Sequence, residues 1–405
     1  MIETQKTPKY SILIPTRNRE EYLPFAIESV LSQNRDDVEL IVSNNYSKDG
    51  TSSYLASLSD YRLSVVMPPK EMSMSGHYEF ILSQATGEWV TILGDDDAVM
   101  PYLFERLDSI FEKYPNNSIV SSERAVYFWE GCEDLYGKCV VSYRTGPGVK
   151  TRSTKKDLLW ALAGLRSCFD MPMIYTSCIV KKSLITEIKG KSGGYFYHSI
   201  IPDIYSIVAL SLVEDSYVRV EEPLFWAGTS IKSMARSDRI YRDSEIQLNT
   251  KQSENDTGRI LKLNSDVSQD LHSAGLDSFY IYEAIRQCPF SSGRWHGKFL
   301  ASIVYASLKL LAGRKTRYKE GATRAGLIDT INFEMKKNRI SPFVVFLCLL
   351  VLRGIDFFCK ILKVTHRAKR KLTSIWKRNT IRSSNRKDFP NIKEASGAVL
   401  LLNKR

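Results

Sequence analysis

Short apolar runs and amphipathic stretches alternate through the first hundred residues, and this alternation constrains the fold more than any other feature of the sequence. Compact apolar runs bounded by turn residues predict strands, and apolar residues recurring at helical spacing predict helices. Strands are expected over residues 10–14, 38–42, 63–67 and 89–93, and helices over 21–33, from about 51, and over 77–84. This order predicts an α/β fold with a mixed, mainly parallel sheet that carries helices on both faces.

Polar clusters follow three of these predicted strands at the point where each one ends. They are Pro15–Arg19, Ser43–Asn45 and Asp95–Asp97. The carboxyl ends of parallel strands meet at one edge of a sheet, and ligands of open α/β sheets bind there. The sequence therefore predicts that these three clusters share one binding edge.

The third cluster consists of three consecutive carboxylates, Asp95, Asp96 and Asp97. Adjacent carboxylates repel one another, and a divalent cation or a ligand rich in donors relieves that repulsion. A cation such as Mg²⁺ typically takes one or two carboxylates and fills its other positions with water and substrate phosphates. The alternative is that these residues cap the helix expected from about Pro101, because aspartate is favoured at helix N-termini.

The sequence as a whole predicts three regions. The α/β domain spans 1–228, a polar loop or linker spans 229–259, and a helical, basic region spans 260–405. Within the first region, further strands are expected over 118–129, 138–143, 175–180 and 217–226, and helices over 102–114, 155–164 and 203–212. In the last region helices are expected over about 268–287, 296–312, 316–338 and 342–380.

Charge is distributed unevenly between the two ends of the chain. Residues 1–290 hold 31 Lys and Arg against 39 Asp and Glu, whereas residues 291–405 hold 26 against 6. Residues 363–387 hold ten basic residues and no acidic one, with apolar residues between them. Such a segment suits an interfacial helix on anionic lipid; a solvated basic bundle is the alternative. Binding to nucleic acid is not favoured, because no stacking platform or nucleic-acid module is present.

Cysteines and apolar segments narrow the class of protein further. The seven cysteines include no Cys-x-x-Cys pair, which predicts free thiols in a reducing compartment and no structural zinc. The first nine residues lack the apolar core of a secretory signal. The best candidate for a membrane span, Pro342–Leu352, is well short of the roughly 20 residues that a helix needs to cross a bilayer.

Five segments in a specific order resemble a family 2 glycosyltransferase of the GT-A fold, a Rossmann-like nucleotide-sugar-binding domain. They are Ser-Ile-Leu-Ile-Pro-Thr-Arg-Asn-Arg (11–19), the helix over 23–33, Glu-Leu-Ile-Val-Ser-Asn-Asn-Tyr-Ser-Lys-Asp-Gly-Thr (39–51), Ala-Thr-Gly-Glu-Trp-Val (85–90) and Leu-Gly-Asp-Asp-Asp (93–97). The resemblance covers about residues 9–228, and its motifs lie in the first 115.

The resemblance implies a role for each polar cluster. The first loop, Pro15, Thr16, Arg17, Asn18 and Arg19, would lie along the nucleotide. The second would contact the base, and here Asn44 and Asn45 stand where the family usually has an acidic residue; Asp49 follows in the same turn.

The third cluster resembles the Asp-x-Asp element, in which one carboxylate holds the ribose and another holds Mn²⁺ or Mg²⁺ on the diphosphate. The register is open between Asp95 with Asp97 and Asp96 with Asp97. We expect Asp97 to bind the cation, with Asp95 as the second candidate.

The family also carries a carboxylate base ahead of a helix in the second half of the domain, and Asp203 in Ile-Pro-Asp-Ile-Tyr is the matching residue. An acceptor hydroxyl must lose a proton as it attacks the anomeric carbon. The alternative for Asp203 is an N-cap. Lys232 follows the last predicted strand and is a candidate contact to the diphosphate.

Together these features predict a metal-dependent, inverting glycosyltransferase of surface polysaccharide synthesis. Its partners would be a nucleoside diphosphate sugar, a glycan acceptor that is often lipid-linked, and the anionic inner face of the cell membrane, with the protein peripheral in the cytoplasm. The same fold could serve an acceptor that is not a glycan. The contrasting hypothesis is a catalytically silent nucleotide-binding scaffold recruited by its basic tail.

Overall fold

The computed structural model of the chain describes residues 7–132, 141–144, 148–232, 277–291, 298–312, 324–354, 380–383 and 391–396. Its strands are β1 (Tyr10–Thr16), β2 (Val38–Asn44), β3 (Leu63–Val66), β4 (Trp89–Ile92), β5 (Ala98–Val99), β6 (Ile119–Phe128), β7 (Val141–Arg144), β8 (Val149–Ser153), β9 (Cys178–Lys181), β10 (Ser216–Thr229) and β11 (Thr380–Ser383).

The helices of the N-terminal half flank these strands. They are α1 (Leu23–Leu31), α2 (Thr51–Ser57), α3 (Met74–Gln84), α4 (Leu103–Lys113), α5 (Thr154–Leu162), α6 (Lys182–Lys191) and α7 (Pro202–Val213). The later helices are α8 (Asp277–Gln287), α9 (Lys298–Ala312), α10 (Arg324–Lys337) and α11 (342–354), and a short helix covers 392–396.

The strands form one mixed sheet in the order β11-β7-β6-β9-β4-β1-β2-β3. The segment β4-β1-β2-β3 is parallel, as the alternating sequence predicts. At β9 the direction changes, because β9 is antiparallel to both β4 and β6. The long strand β10 runs parallel to β6 and carries β5 and β8 on antiparallel ladders. The longest ladders, β1–β2 and β6–β10, are parallel, so the predicted mixed and mainly parallel sheet is confirmed.

The central strand β1 shows why the sheet is covered on both faces. All its residues are buried. Ile12 and Ile14 join the apolar cluster built from α1 and α4, whereas Leu13 joins the cluster built from α3, α5 and α7. Side chains of a strand alternate between its two faces, so an uninterrupted apolar run requires helices on both sides.

The helices of the C-terminal half share one of these cores. Ile281 and Ile285 of α8, Val304 of α9, and Ile331 and Met335 of α10 belong to the same cluster as Leu13. These described helices therefore pack on the same core as the sheet. The predicted boundaries at 228 and 259 stay predictions, because most of the predicted linker lies outside the described residues.

The end of the chain returns to the sheet. β11 pairs antiparallel with β7 from Thr380, the last residue of the helix predicted over 342–380. Residues 342–354 are helical as predicted, and 355–379 lie outside the described residues. The Thr-Ile-Arg sequence there carries β-branched residues that favour a strand. Ile392 and Ala395 pack with Tyr22 and Trp129, and Lys393 forms an ion pair with Glu28 at 2.5 Å. Among the described helices, none has the length and apolar character needed to span a bilayer.

Candidate active site at the carboxyl edge of the sheet

The Asp95–Asp97 triplet lies in a turn between β4 and β5 at the carboxyl edge of the parallel segment. The backbone N–H of Leu93 still donates to Leu13 of β1, and the N–H of Asp97 closes the turn on Gly94. β5 then pairs with Phe225 and Trp226 of β10. Because the chain turns through these residues, the three carboxylates reach three different environments.

Asp97 is a buried acceptor that joins three segments of the fold, with only 2% of its surface exposed. One carboxylate oxygen accepts hydrogen bonds from the Thr176 hydroxyl and from the Gly94 N–H at 3.1 Å, and the other accepts from the Gly228 N–H at 2.6 Å. Burial and the neighbouring charge of Asp96 raise the pKa of Asp97 to about 8. Cation binding by Asp97 stays a prediction, and it would compete with these hydrogen bonds.

Asp96 is held between β4 and the end of β10. Its carboxylate accepts from the Ser230 hydroxyl at 2.7 Å, and its backbone carbonyl accepts from the Trp129 indole N–H at 2.9 Å. Gly228 passes directly over that carbonyl, where a Cβ would lie 1.6 Å from the oxygen. Only glycine fits at so close an approach. Any larger residue at position 228 would push β10 away from Asp96.

Asp95 is the most accessible aspartate of the triplet, and it faces Arg19. The Arg19 Nε donates to the Asp95 carboxylate at 3.1 Å, and another nitrogen of its guanidinium donates to the Lys232 carbonyl at 2.7 Å. Burial raises the pKa of Asp95 to about 6, although the Arg19 charge opposes that shift. The structure thus brings together three residues predicted to bind the nucleotide sugar. The Lys232 ammonium lies 3.6 Å from Glu21.

The remaining residues of the first loop have separate environments. Pro15 and Thr16 end β1, and the buried Thr16 hydroxyl lies close enough to Asp95 to oppose the rise in the pKa of that carboxyl. Arg17 forms an ion pair with Glu71 at 2.5 Å, with both side chains about two-fifths exposed. Asn18 has a left-handed backbone, with φ of 57°, and its side chain accepts from the Lys48 N–H at 2.7 Å.

The predicted base-binding residues hold their own loops together. The Asn44 side chain accepts from the Ser47 N–H and donates to Ser52, and the Asn45 side chain accepts from the Met72 N–H and donates to the Met72 carbonyl. Both asparagines are buried. These bonds explain why amides occupy the positions, since each amide serves as donor and acceptor at once.

Asp49 has a local structural role. Its carboxylate accepts from the N–H groups of Glu20 and Thr51, which joins the first loop to the start of α2. Despite partial desolvation, these hydrogen bonds lower the pKa of Asp49. Its predicted contact with the nucleotide stays a prediction.

Asp203 lies in the first turn of α7, but it is not the capping residue. Ile201 occupies the N-cap position and Pro202 begins the helix, so the alternative that Asp203 is an N-cap is wrong. One oxygen of the Asp203 carboxylate accepts from the Ile204 N–H at 2.8 Å. This contact orients a partly exposed carboxylate at the start of the helix.

Two tyrosines that stack on each other connect Asp203 with the triplet. The rings of Tyr78 and Tyr175 lie 6.4 Å apart at 19° to each other. Burial, followed by the charge of Asp203 and weaker effects from Asp95 and Asp97, raises the pKa of Tyr78 well above its ordinary value. Tyr175 has a similarly raised pKa from burial and from the triplet. Both tyrosines are therefore neutral, and Tyr78 lies within the electrostatic influence of both Asp203 and the triplet.

Sequence reasoning missed three residues that shape this site. Thr176 has a φ of 34°, donates to Asp97 and accepts from the Gly94 N–H. Gly228 closes over the aspartate turn. The Arg124 guanidinium lies over the Phe169 ring, near enough to Asp97 for that charge to oppose the lowering of the Arg124 pKa by burial. None belongs to a recognisable local pattern, because each acts on residues far away in the chain.

The carboxylates present suit a hard divalent cation that shares its site with a substrate. Among the described residues, no three or more His, Cys, Asp or Glu side chains form a ready-made metal cage. Nucleotide-bound Mg²⁺ does not need one, since one or two carboxylates and the substrate phosphates complete its shell. Asp95 and Asp96 supply oxygen donors of this kind. Burial, and then the repulsion from Asp96, raise the pKa of Asp95 even beside Arg19, so added positive charge would be favourable there.

His77 on α3 gives this edge of the sheet a dependence on pH. It is buried against the Ser43 hydroxyl at 2.8 Å, and burial lowers its pKa to about 4. Between pH 6.5 and 4 the unfolded chain binds a proton that the folded chain excludes, so stability falls as pH falls through this window. We expect a loss of about 3 kcal/mol from this group. Chemical denaturation of wild type and His77→Gln at several pH values measures it; equal pH slopes in the two proteins would contradict the assignment.

Comparison with known proteins shows which family the first part of the chain resembles. A model of glycosyl transferase family 2 matches residues 11–159. The GalNAc(5)-diNAcBac-PP-undecaprenol beta-1,3-glucosyltransferase of Campylobacter jejuni is 31% identical over 166 residues, which cover 38% of this chain and 48% of that protein. The succinoglycan biosynthesis protein ExoO of Rhizobium meliloti is 28% identical over 102 residues, covering 25% of this chain and 29% of that protein. The chain thus spans about half, or less, of these curated relatives.

A solved structure also aligns with the chain, although at a low score. The crystal structure of S. aureus TarS 1-349 in complex with UDP-GlcNAc has a TM-score of 0.46 and 14% identity over 82% of this chain and 91% of that chain. A score this low does not establish a common fold by itself. The family match rests instead on residues 11–159, which contain β1, the Asn44–Asn45 loop and the aspartate turn. This match to glycosyl transferase family 2 covers just over a third of the chain and includes the aspartate turn.

Proposed function

We propose that the protein transfers a sugar from a nucleoside diphosphate sugar to a hydroxyl group of an acceptor glycan. The observation that carries this proposal is the contact of Arg19 with the aspartate turn, beside a tyrosine on which both Asp95 and Asp203 act electrostatically. Arg19 contacts Asp95 directly, and Tyr78 lies within the electrostatic reach of both Asp95 and Asp203. A donor-binding group and a general base are both required for glycosyl transfer.

The donor would lie across the loops that follow β1, β2 and β4. Asn44 and Asn45 shape the part of this edge proposed for the base, and Asn18 joins the first two loops through Lys48. Arg19 and Lys232 bring positive charge to the part proposed for the diphosphate. Arg19 is already oriented by Asp95 and by the Lys232 carbonyl, so little conformational entropy is lost when a phosphate binds.

Asp203 would accept the proton of the acceptor hydroxyl as that oxygen attacks the anomeric carbon. The bond between the anomeric carbon and the diphosphate oxygen breaks from the opposite side, so the product has the inverted configuration. The Ile204 N–H fixes one oxygen of the carboxylate. The stacked Tyr78 and Tyr175 would shield part of this site from water, which would strengthen electrostatic interactions there.

Mn²⁺ or Mg²⁺ would be held by Asp95 and Asp96, with Asp97 anchoring the turn beneath them. When bound, such a cation neutralises charge on the departing diphosphate. This pairing differs from both registers that the sequence left open, since each of those includes Asp97, which here already accepts hydrogen bonds from Gly94, Thr176 and Gly228. Cation binding by Asp97 is the competing assignment, and the two are separated by the variants described in the Discussion.

The acceptor class is proposed from the relatives. One of them is the GalNAc(5)-diNAcBac-PP-undecaprenol beta-1,3-glucosyltransferase, and another is a succinoglycan biosynthesis protein. We therefore propose a lipid-linked glycan as the acceptor and surface polysaccharide as the product class. The reaction would then take place at the cytoplasmic face of the cell membrane.

A donor panel tests the proposed activity. Wild-type protein is incubated with UDP-, GDP-, ADP- and dTDP-sugars, with Mn²⁺, with Mg²⁺ and with a chelator, and the melting temperature is measured. We expect sugars of one nucleotide class to raise the melting temperature, and only when a cation is present. We also expect the protein to hydrolyse the same donor slowly and release free nucleoside diphosphate. If none of these donors stabilises the folded protein, the transferase proposal fails. Stabilisation by a nucleotide without release of nucleoside diphosphate or transfer to any acceptor would favour the silent scaffold.

A further inference from the structure

Helix α11, over 342–354, exposes an apolar stripe along its length. Its exposed side chains are Phe343 (67%), Phe346 (53%), Leu347 (44%), Leu350 (48%) and Val351 (61%). These positions follow the spacing of three and four residues that places side chains on one helix face. We call this set the outer face of α11.

The opposite face of the same helix is also apolar, and it is already buried. Val345 and Leu352 are almost fully enclosed in the main core, and Cys348 and Leu349 pack against it. A helix at a protein surface normally presents polar residues to water, whereas a helix that is apolar all round is normally covered on both sides. The outer face is therefore an apolar surface that nothing within the described residues covers.

Positive charge surrounds this face. Lys336, Lys337 and Arg339 precede α11, Arg353 lies near its end, and all four are exposed. Residues 336–354 contain no Asp or Glu. The sequence after the helix is also strongly basic, with ten Lys and Arg and no acidic residue over 363–387.

We propose that the outer face of α11 docks on a lipid bilayer that carries anionic headgroups. The apolar side chains would enter the boundary between headgroups and acyl chains, and the flanking basic residues would meet the lipid phosphates. A second copy of the chain is a poorer occupant, because pairing the same face would bring the same basic residues together in both copies. This inference goes beyond the transferase and does not depend on it, since docking requires neither donor nor acceptor.

Flotation of the full chain with vesicles tests the docking. Vesicles of phosphatidylcholine alone are compared with phosphatidylcholine mixed with phosphatidylglycerol, without donor. We expect wild type to bind the anionic vesicles and the triple variant Phe343→Ser, Phe346→Ser, Leu350→Ser to bind about tenfold more weakly or less. The matched control Tyr61→Ser, Val65→Ser, Met67→Ser removes exposed apolar side chains around β3 and is expected to bind like wild type.

Charge and insertion are measured separately. Lys336→Ala with Arg353→Ala is expected to weaken binding about fivefold for each charge removed. In the single variant Phe346→Trp, the fluorescence difference from wild type is expected to shift to the blue on anionic vesicles. This measurement does not depend on the triple variant remaining folded.

The proposal is overturned by wild type that stays with the unbound fraction on every vesicle, by a triple variant that binds like wild type, or by an unshifted fluorescence signal in the Phe346→Trp variant. Sedimentation equilibrium without lipid tests whether a second copy of the chain occupies this face. A wild-type dimer that becomes a monomer in the triple variant would assign the face to a second copy instead.

Discussion

Asp203→Asn is expected to lower the rate of sugar transfer by about 10²–10⁴-fold, the range that a positioned general base contributes. Asparagine keeps the size of the side chain and can still accept from the Ile204 N–H, but it cannot take the proton of the acceptor hydroxyl. The affinity for the donor should therefore be almost unchanged. Transfer to acceptor and binding of donor, measured on the same preparation, separate the two effects.

The other end of α7 offers matched controls for this variant. Glu214 follows the helix, and Asp215 is an exposed carboxylate paired with Lys155. We expect Glu214→Gln and Asp215→Asn to transfer sugar at close to the wild-type rate. Asp203→Asn that remains fully active would remove Asp203 from the mechanism, and a simultaneous loss of donor binding would assign it to the donor site instead.

Single Asp→Asn substitutions across the triplet are expected to separate binding from folding. Asp95→Asn and Asp96→Asn should weaken cation-dependent donor binding by at least about tenfold. They should leave the melting temperature of the unliganded protein nearly unchanged, because each removes a charge from a crowded cluster. Burial already raises the pKa of Asp95 to about 6, so a neutral side chain is well tolerated there.

Asp97→Asn is expected to behave differently, by destabilising the protein before any ligand is added. The two oxygens of Asp97 each accept a backbone N–H, from Gly94 and from Gly228, and an amide can offer an oxygen to only one of them. Opposing a buried donor with another donor costs about 1–3 kcal/mol. Differential scanning calorimetry without ligand measures this loss. If the Asp97→Asn protein has wild-type stability and does not bind the cation, Asp97 is the cation ligand and the assignment to Asp95 and Asp96 is wrong.

The alternation of strands and helices determined the parallel core of the fold. The bounds expected for β1, β2 and β4 differ from the structure by no more than two residues at their ends, because buried strands need continuous apolar runs and the turns between them need polar residues. The polar clusters also come to one edge as predicted, since parallel strands end on the same side. The sequence did not predict β5, β8 or α6, because these elements are short or rich in charged residues.

The division of roles within the triplet was decided only by the tertiary structure. Asp97 accepts hydrogen bonds from Thr176 and Gly228, which are 79 and 131 positions away in the chain. A local sequence pattern cannot predict partners at that separation. The same holds for the outer face of α11, since both faces of that helix read as apolar and packing alone decided which one is buried. The sequence by itself determined which residues reach the carboxyl edge of the sheet. The tertiary structure decided which of them are already bonded to the protein, because adjacent side chains on a turn point toward segments that are distant in sequence.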